Sequence, residues 1–95
     1  MPLKILALGG DGIGPEVVSS GLQVLEAVAG TLSLKVDITE DLLHGAAWDV
    51  HGTFIRPETI RAAHGSDALL VGAVGGSKWD HIKVDGGPEE QDGLM

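Results

Sequence analysis

Apolar and polar residues recur along the chain with the spacing of strands in some segments and of helices in others. Three segments have the strand pattern. Leu3–Leu8 is a short apolar run that ends in glycines, which predicts a buried strand. Leu34–Thr39 alternates apolar and polar residues, as a half-buried strand does. Asp67–Val74 is apolar almost throughout, which is typical of a parallel strand covered on both faces.

The segment between the first two strands has helical spacing. Pro15 begins this helix, since proline suits the first helical position, and Gly30 ends it. Gly21, in mid-helix, is either slack in the packing or a point of close approach to a strand. The predicted buried face contains Val18, Leu22, Leu25 and Ala29, and it is widened by Val17, Val24 and Val28.

The remaining segments complete an alternating order of elements. Residues 41–53 predict a short helix or an irregular excursion, and a second helix runs from Arg56 to His64. Gly75–Asp92 has the composition of a loop. The order strand, helix, strand, helix, strand predicts an α/β fold with a largely parallel sheet and flanking helices. Because so small a sheet leaves apolar faces uncovered, we expect residues 1–95 to be the N-terminal part of a longer protein.

Composition narrows the range of partners. The chain has 14 acidic and 6 basic residues and a net charge of −8, which argues against binding to nucleic acid or to an anionic membrane. No apolar run approaches the ~18 residues of a membrane span. The absence of cysteine and of a secretory pattern favours a cytoplasmic protein.

The glycine-rich loop Gly9–Gly14 matches neither of two common phosphate-binding motifs. It lacks the Lys and Ser/Thr that end a P-loop, and Pro15 follows where a Rossmann fingerprint needs its third glycine. The loop could still be a tight turn without a ligand, or it could meet a ligand at the start of the following helix.

Several side chains near the predicted loops have more than one possible role. Asp11 is expected to accept hydrogen bonds from nearby backbone N–H groups. Trp79 either anchors its loop or stacks on a cofactor. Lys78 and Asp80 are expected to pair with each other or with solvent. No metal-ligand pattern connects the histidines, which are His44, His51, His64 and His81.

Two stretches resemble one enzyme family. Gly10–Val17 (GDGIGPEV) is similar to the opening of the β-decarboxylating dehydrogenases, which act on 3-isopropylmalate, isocitrate and related acids. Leu70–Asp80 (LVGAVGGSKWD) is similar to a strand and loop of the same family, in the same order along the chain. The resemblance covers all 95 residues but only the beginning of a family member. Gly10 and Ser77 stand where the family commonly has proline.

The resemblance implies a site for NAD in a cleft between two domains. Ile13 would approach the nicotinamide, and Leu94 would meet the isopropyl group of the substrate. We prefer Glu89 as the acidic residue near the nicotinamide ribose, with Glu90 and Gln91 as alternatives. The cofactor-binding residues implied are Ile13, Gly75, Gly76, Ser77, Lys78, Trp79, Asp80 and Glu89.

The resemblance also implies a reaction and a pathway. Family members oxidise a 2-hydroxy dicarboxylate by hydride transfer to NAD, and the product loses carbon dioxide with help from Mg²⁺ or Mn²⁺. The implied substrate is 3-isopropylmalate, in leucine biosynthesis, and the implied assembly is a homodimer. Tartrate, malate or isocitrate are alternative substrates, and a non-catalytic, self-associating module is an alternative function.

Catalytic residues and metal ligands of the family have no match in this chain. The sequence contains no tyrosine, and Arg56 and Arg61, its only arginines, do not match the arginines that bind substrate in the family. We therefore expect a fragment that is inactive alone.

Overall fold

The computed structural model describes residues 2–79, 81 and 82. Three strands alternate with three helices in chain order, as the sequence predicts. The elements are β1 (Leu3–Gly10), α1 (Gly14–Thr31), β2 (Val36–Asp41), α2 (Gly45–His51), α3 (Pro57–His64) and β3 (Ala68–Ala73). No helix in the described part of the chain is both long and apolar enough to cross a membrane.

The three strands form one parallel sheet in the order β2-β1-β3. β1 pairs with β2 from Leu3 opposite Val36, and with β3 from Ile5 opposite Ala68. Both partners of β1 run parallel to it, which confirms the predicted α/β class. Because β1 is central, the loop that follows it lies between the loops that follow the other two strands.

The boundaries of all three strands differ from the prediction by one or two residues, and for two of them the reason is clear. β1 continues two residues further, to Gly10, because Gly10 still pairs with Ala73 across the sheet. β2 begins at Val36 rather than at Leu34, because the Leu34 N–H bonds to the Ala29 carbonyl and closes the end of α1. The 41–53 segment, where helix and irregular structure both remained open, contains the short helix α2.

The helices pack on opposite faces of the sheet. Val18 and Leu22 of α1 pack with Ala7 of β1 on one face. On the other face Leu6 and Leu8 pack with Leu43 and with side chains around α3. The buried face of α1 is narrower than predicted in the described structure. Val17, Val24 and Val28, which were predicted to widen it, are exposed because they point away from the sheet.

β3 is not covered on both faces in the described structure, contrary to the prediction. Leu70 packs with α1, but Leu69 is 50% exposed on the opposite face. β3 is an edge strand of this sheet, and the side chains around α3 pack on β1 and do not cover β3. A Cβ added at Gly21 would lie 3.5 Å from Leu70, an ordinary contact, so this glycine is not required by close packing.

Asp41, at the end of β2, holds α3 against the sheet. Its carboxylate accepts hydrogen bonds from the Thr59 hydroxyl at 2.7 Å and from the Arg56 guanidinium at 3.0 and 3.1 Å. Burial disfavours the charged form of Asp41. The bonds from Thr59, the Leu42 N–H and Arg56 outweigh this effect and lower the pKa of Asp41 below its usual value.

Candidate functional site at the switch point of the sheet

The topology of the sheet marks one place where a ligand can bind. The chain leaves β1 towards α1, which packs on one face of the sheet, whereas Val74, directly after β3, packs with Leu6 and Leu8 on the other face. The loops after these neighbouring strands therefore diverge at their carboxyl ends. In open parallel sheets, ligands bind in the crevice that such diverging loops create. The two loops are 11–13 and 74–79, which carry most of the predicted cofactor-binding residues.

Glycines at this crevice allow backbone to pack on backbone. A Cβ at Gly14 would collide with the carbonyl oxygen of Gly9, and a Cβ at Gly72 would lie 2.9 Å from Gly14 Cα. The first turn of α1 is thus pressed against both strands. The sequence left open a ligand or a tight turn for the loop Gly9–Gly14. In the structure Gly14 serves the close packing of this turn, with Gly72 of β3 directly against it.

A buried carboxylate fills the crevice between the loops. Asp11 is 3% exposed, and its oxygens accept hydrogen bonds from the N–H groups of Gly45 at 3.1 Å, Ala46 at 2.7 Å and Gly75 at 3.0 Å. His44 Nδ1 lies 2.7 Å from the same carboxylate. Because an ionised carboxylate only accepts hydrogen bonds, we assign the proton to Nδ1. Asp11 does bond backbone N–H groups, as predicted, but they come from distant segments rather than from its own turn.

His44 is a member of this cluster that the sequence did not identify. The residue is 1% exposed, and its ring stacks on Phe54, with ring centroids 4.6 Å apart. Its backbone φ of 59° is unusual for a residue with a side chain, and its N–H donates to the Phe54 carbonyl. In the sequence His44 begins the short stretch His44–Ala47 (HGAA), which does not by itself indicate a bond to Asp11.

The loop after β3 is also tied to α2. Lys78 Nζ lies 2.8 Å from Asp49, and the Trp79 indole N–H donates to the same carboxylate at 3.2 Å. These two hydrogen bonds lower the pKa of Asp49 below its usual value. The predicted partners of Lys78 are Asp80 and solvent; Asp80 lies outside the described residues, and Asp49 is a partner that the sequence did not predict. Trp79 packs against Gly45 and Gly76, which supports its role as an anchor.

The other predicted site residues are partly accessible. Ile13 is 65% exposed at the start of α1, and the structure places Gly75, Gly76, Ser77 and Lys78 on the surface. Three predicted positions lie outside the described residues, which are Asp80, Glu89 and Leu94, and so do the alternatives Glu90 and Gln91. In the part of the chain that the structure describes, no group of three or more His, Cys, Asp or Glu could hold a metal ion.

A cavity that the sequence did not predict lies beside the crevice. Its volume is about 330 Å³, and it opens at the ends of β1 and β2 rather than between β1 and β3. Gly9, Pro15 and Val18 line one side, and Glu40 and His51 line the other. The cavity is therefore separate from the loops that carry the predicted cofactor-binding residues.

Comparison with known proteins identifies the family. A family model described as isocitrate/isopropylmalate dehydrogenase matches residues 4–95. The chain belongs to the isocitrate/isopropylmalate dehydrogenase family, as the two motifs predicted.

Named relatives support the isopropylmalate branch. The chain is 48% identical over 89 residues to a 3-isopropylmalate dehydrogenase of Chlorobaculum tepidum, covering 94% of this chain and 25% of the relative. It is 43% identical over 90 residues to the enzyme of the same name from Hydrogenovibrio crunogenus, covering 95% of this chain and 25% of that relative. This chain thus spans about a quarter of the length of these relatives.

Solved structures confirm the fold. An apo β-decarboxylating dehydrogenase from Thermococcus kodakarensis superposes with a TM-score of 0.66 at 32% identity, covering 78% of this chain and 21% of that one. Isocitrate dehydrogenase from Methylococcus capsulatus superposes with a TM-score of 0.63 at 26% identity, covering 87% of this chain and 24% of that one.

Proposed function

We propose that residues 1–95 form part of the NAD-binding domain of a 3-isopropylmalate dehydrogenase. The whole enzyme would catalyse oxidative decarboxylation in leucine biosynthesis, as a cytoplasmic homodimer. The observation that carries the proposal is the pairing of loops 11–13 and 74–79 at the switch point, in a chain 48% identical to an enzyme of that name. Malate, tartrate and isocitrate are the alternative substrates.

The chemistry of the crevice fits the nicotinamide half of NAD better than its phosphates. Three backbone N–H groups that could bind a phosphate are already bonded to the Asp11 carboxylate. Beside them, the exposed side chain of Ile13 offers an apolar contact of the kind that an aromatic ring can cover. Exposed Ser77 and Lys78 offer polar groups to a ribose.

Each proposed residue has a limited role in the reaction. NAD supplies the hydride acceptor when it is bound. Ile13 would hold the nicotinamide ring by apolar contact, while Ser77, Lys78 and Asp80 would orient the ribose from the other loop. Glu89 would accept a hydrogen bond from the ribose, and Leu94 would contact the isopropyl group of the substrate. Mg²⁺ or Mn²⁺ would be held by residues outside this chain.

Titration of the isotopically labelled 95-residue chain with NAD tests this site. NMR should show saturable shifts at the amides of Ile13, Gly76, Ser77 and Lys78, at millimolar concentrations because only part of the cleft is present. The Ile13→Ala variant should bind about tenfold more weakly, since it loses most of a buried apolar contact. Val24→Ala, which removes an exposed side chain from α1, is the matched control. Shifts confined to other surfaces would contradict the proposal.

A further inference from the structure

We propose that Asp11 is a positioning residue, whose carboxylate acts as an internal anion that sets the geometry of the cofactor-binding loop. This inference rests on the proposed function, because the loop it positions is the proposed NAD loop. Asp11 itself is buried and is not expected to touch the cofactor.

The bonds to Asp11 join segments that are far apart along the chain. The carboxylate bonds to Gly45 and Ala46, which are 34 and 35 residues away, and to Gly75, which is 64 residues away. The Asp11 N–H also donates to the Ala73 carbonyl at 2.7 Å. One residue therefore connects the loop after β1, the start of α2 and the loop after β3.

Gly75 is the residue through which Asp11 fixes the start of the loop after β3. Gly75 has a φ of +104°, and an added Cβ would meet open space, so its neighbours do not hold it by packing. Its bond to Asp11 fixes the first residue of the loop, while Asp49 fixes Lys78 and Trp79. Without Asp11, the loop would be tied at its far end only.

The same carboxylate also excludes other anions. Convergent backbone N–H groups are a common way for proteins to bind phosphate. Here the donors that converge on the crevice, including His44, are satisfied by a charge belonging to the chain. The glycine-rich loop Gly9–Gly14 thus supplies the anion, Asp11, and the amides that bind it come from Gly45, Ala46 and Gly75.

The test compares carboxylate-to-amide substitutions in the full 95-residue chain. Asp11→Asn keeps the size of the side chain but replaces one accepting oxygen with an NH₂ donor. Asp41→Asn is the matched control, because Asp41 also accepts several hydrogen bonds but does not contact either loop. Hydrogen exchange of the Gly45, Ala46 and Gly75 amides should become about tenfold faster in Asp11→Asn only. The dissociation constant for NAD should rise about tenfold in the same variant.

Chemical rescue separates positioning from general stability. In Asp11→Gly, sodium formate should restore the slow exchange of the three amides, because formate can occupy the place of the lost carboxylate. Sodium chloride at equal ionic strength should not restore it. If exchange is unchanged in Asp11→Asn, or if chloride rescues as well as formate does, the proposal is wrong.

Failure of the proposed function, and failure of the variants to fold, can each be distinguished from failure of the positioning role. If the wild-type chain shows no response to NAD while the three amides depend on Asp11, the proposed function fails and the positioning role stands. If both variants of Asp11 fail to fold, scalar couplings across hydrogen bonds in the wild-type chain replace them. Couplings from the amides of Gly45, Ala46 and Gly75 to the Asp11 carboxyl carbon should be present, and their absence would overturn the proposal.

Discussion

Replacing Gly45 with alanine should displace Trp79 and release the proposed cofactor-binding loop. A Cβ at Gly45 would lie within 2.5 Å of three atoms of the Trp79 indole. An ordinary contact needs 3.4 Å or more, so the ring has to retreat by about 1 Å. The retreat weakens the 3.2 Å hydrogen bond from the indole N–H to Asp49.

The loss of stability in Gly45→Ala depends on whether the Trp79 ring can move. Overpacking of a core costs about 1–3 kcal/mol. Trp79 is half-buried and can swing towards solvent, so we expect the lower end, about 1 kcal/mol. For a domain of this size, that corresponds to a loss of about 4–8 °C in melting temperature.

The assay combines thermal unfolding with NMR of the indole N–H group of Trp79. Gly45→Ala should melt at a lower temperature and shift this resonance. Gly30→Ala is the control, since a Cβ there meets open space, and it should be neutral or stabilise α1 by up to about 1 kcal/mol. If Gly45→Ala unfolds at the wild-type temperature with the indole resonance unchanged, the packing of Trp79 on Gly45 is wrong.

Three further predictions concern the sheet, acid stability and activity. Gly72→Ala should cost about 3 kcal/mol or more, because its Cβ would lie 2.6 Å from the carbonyl oxygen of Gly14. Gly21→Ala should instead stabilise α1 by up to about 1 kcal/mol; chemical denaturation measures both changes, and equal effects would refute the distinction. Asp41 has a lowered pKa in the folded chain, so it stabilises the fold above about pH 4 and loses this contribution as the pH falls through the lowered value. The difference in unfolding free energy between wild type and Asp41→Asn should therefore shrink below about pH 4, and a constant difference would contradict this linkage. The 95-residue chain alone should produce no isopropylmalate-dependent NADH, since it has no tyrosine and its Arg56 is bonded to Asp41; turnover above a blank would show otherwise.

The order of elements could be predicted from the sequence because each has a strong local signal. Pro15 and Pro57 mark helix starts, and the apolar runs mark strands. The exposure of Val17, Val24 and Val28 could not be predicted, because the hydrophobic stripe is wider than the strip that contacts the sheet. Likewise, the apolar composition of β3 does not reveal that it lies at an edge of the sheet in the part of the chain that the structure describes.

The candidate site was predictable only in part. Both loops could be found from their motifs, because the residues of each motif are contiguous. The bonds between Asp11 and the amides at Gly45, Ala46 and Gly75 depend on three separate segments meeting in the fold. The pairing of Lys78 with Asp49, on α2, was missed for the same reason.

We propose that this chain supplies part of the NAD site of a 3-isopropylmalate dehydrogenase. The most direct test replaces the matching segment of the Chlorobaculum tepidum enzyme, which is 48% identical over 89 residues, with the present sequence. NADH production by the purified, folded hybrid is then measured with 3-isopropylmalate, malate, tartrate and isocitrate. We predict activity with 3-isopropylmalate, and a KM for NAD that rises about tenfold in Ile13→Ala while kcat changes little. A folded hybrid that is inactive with 3-isopropylmalate, or whose KM for NAD does not change in Ile13→Ala, would contradict this proposal.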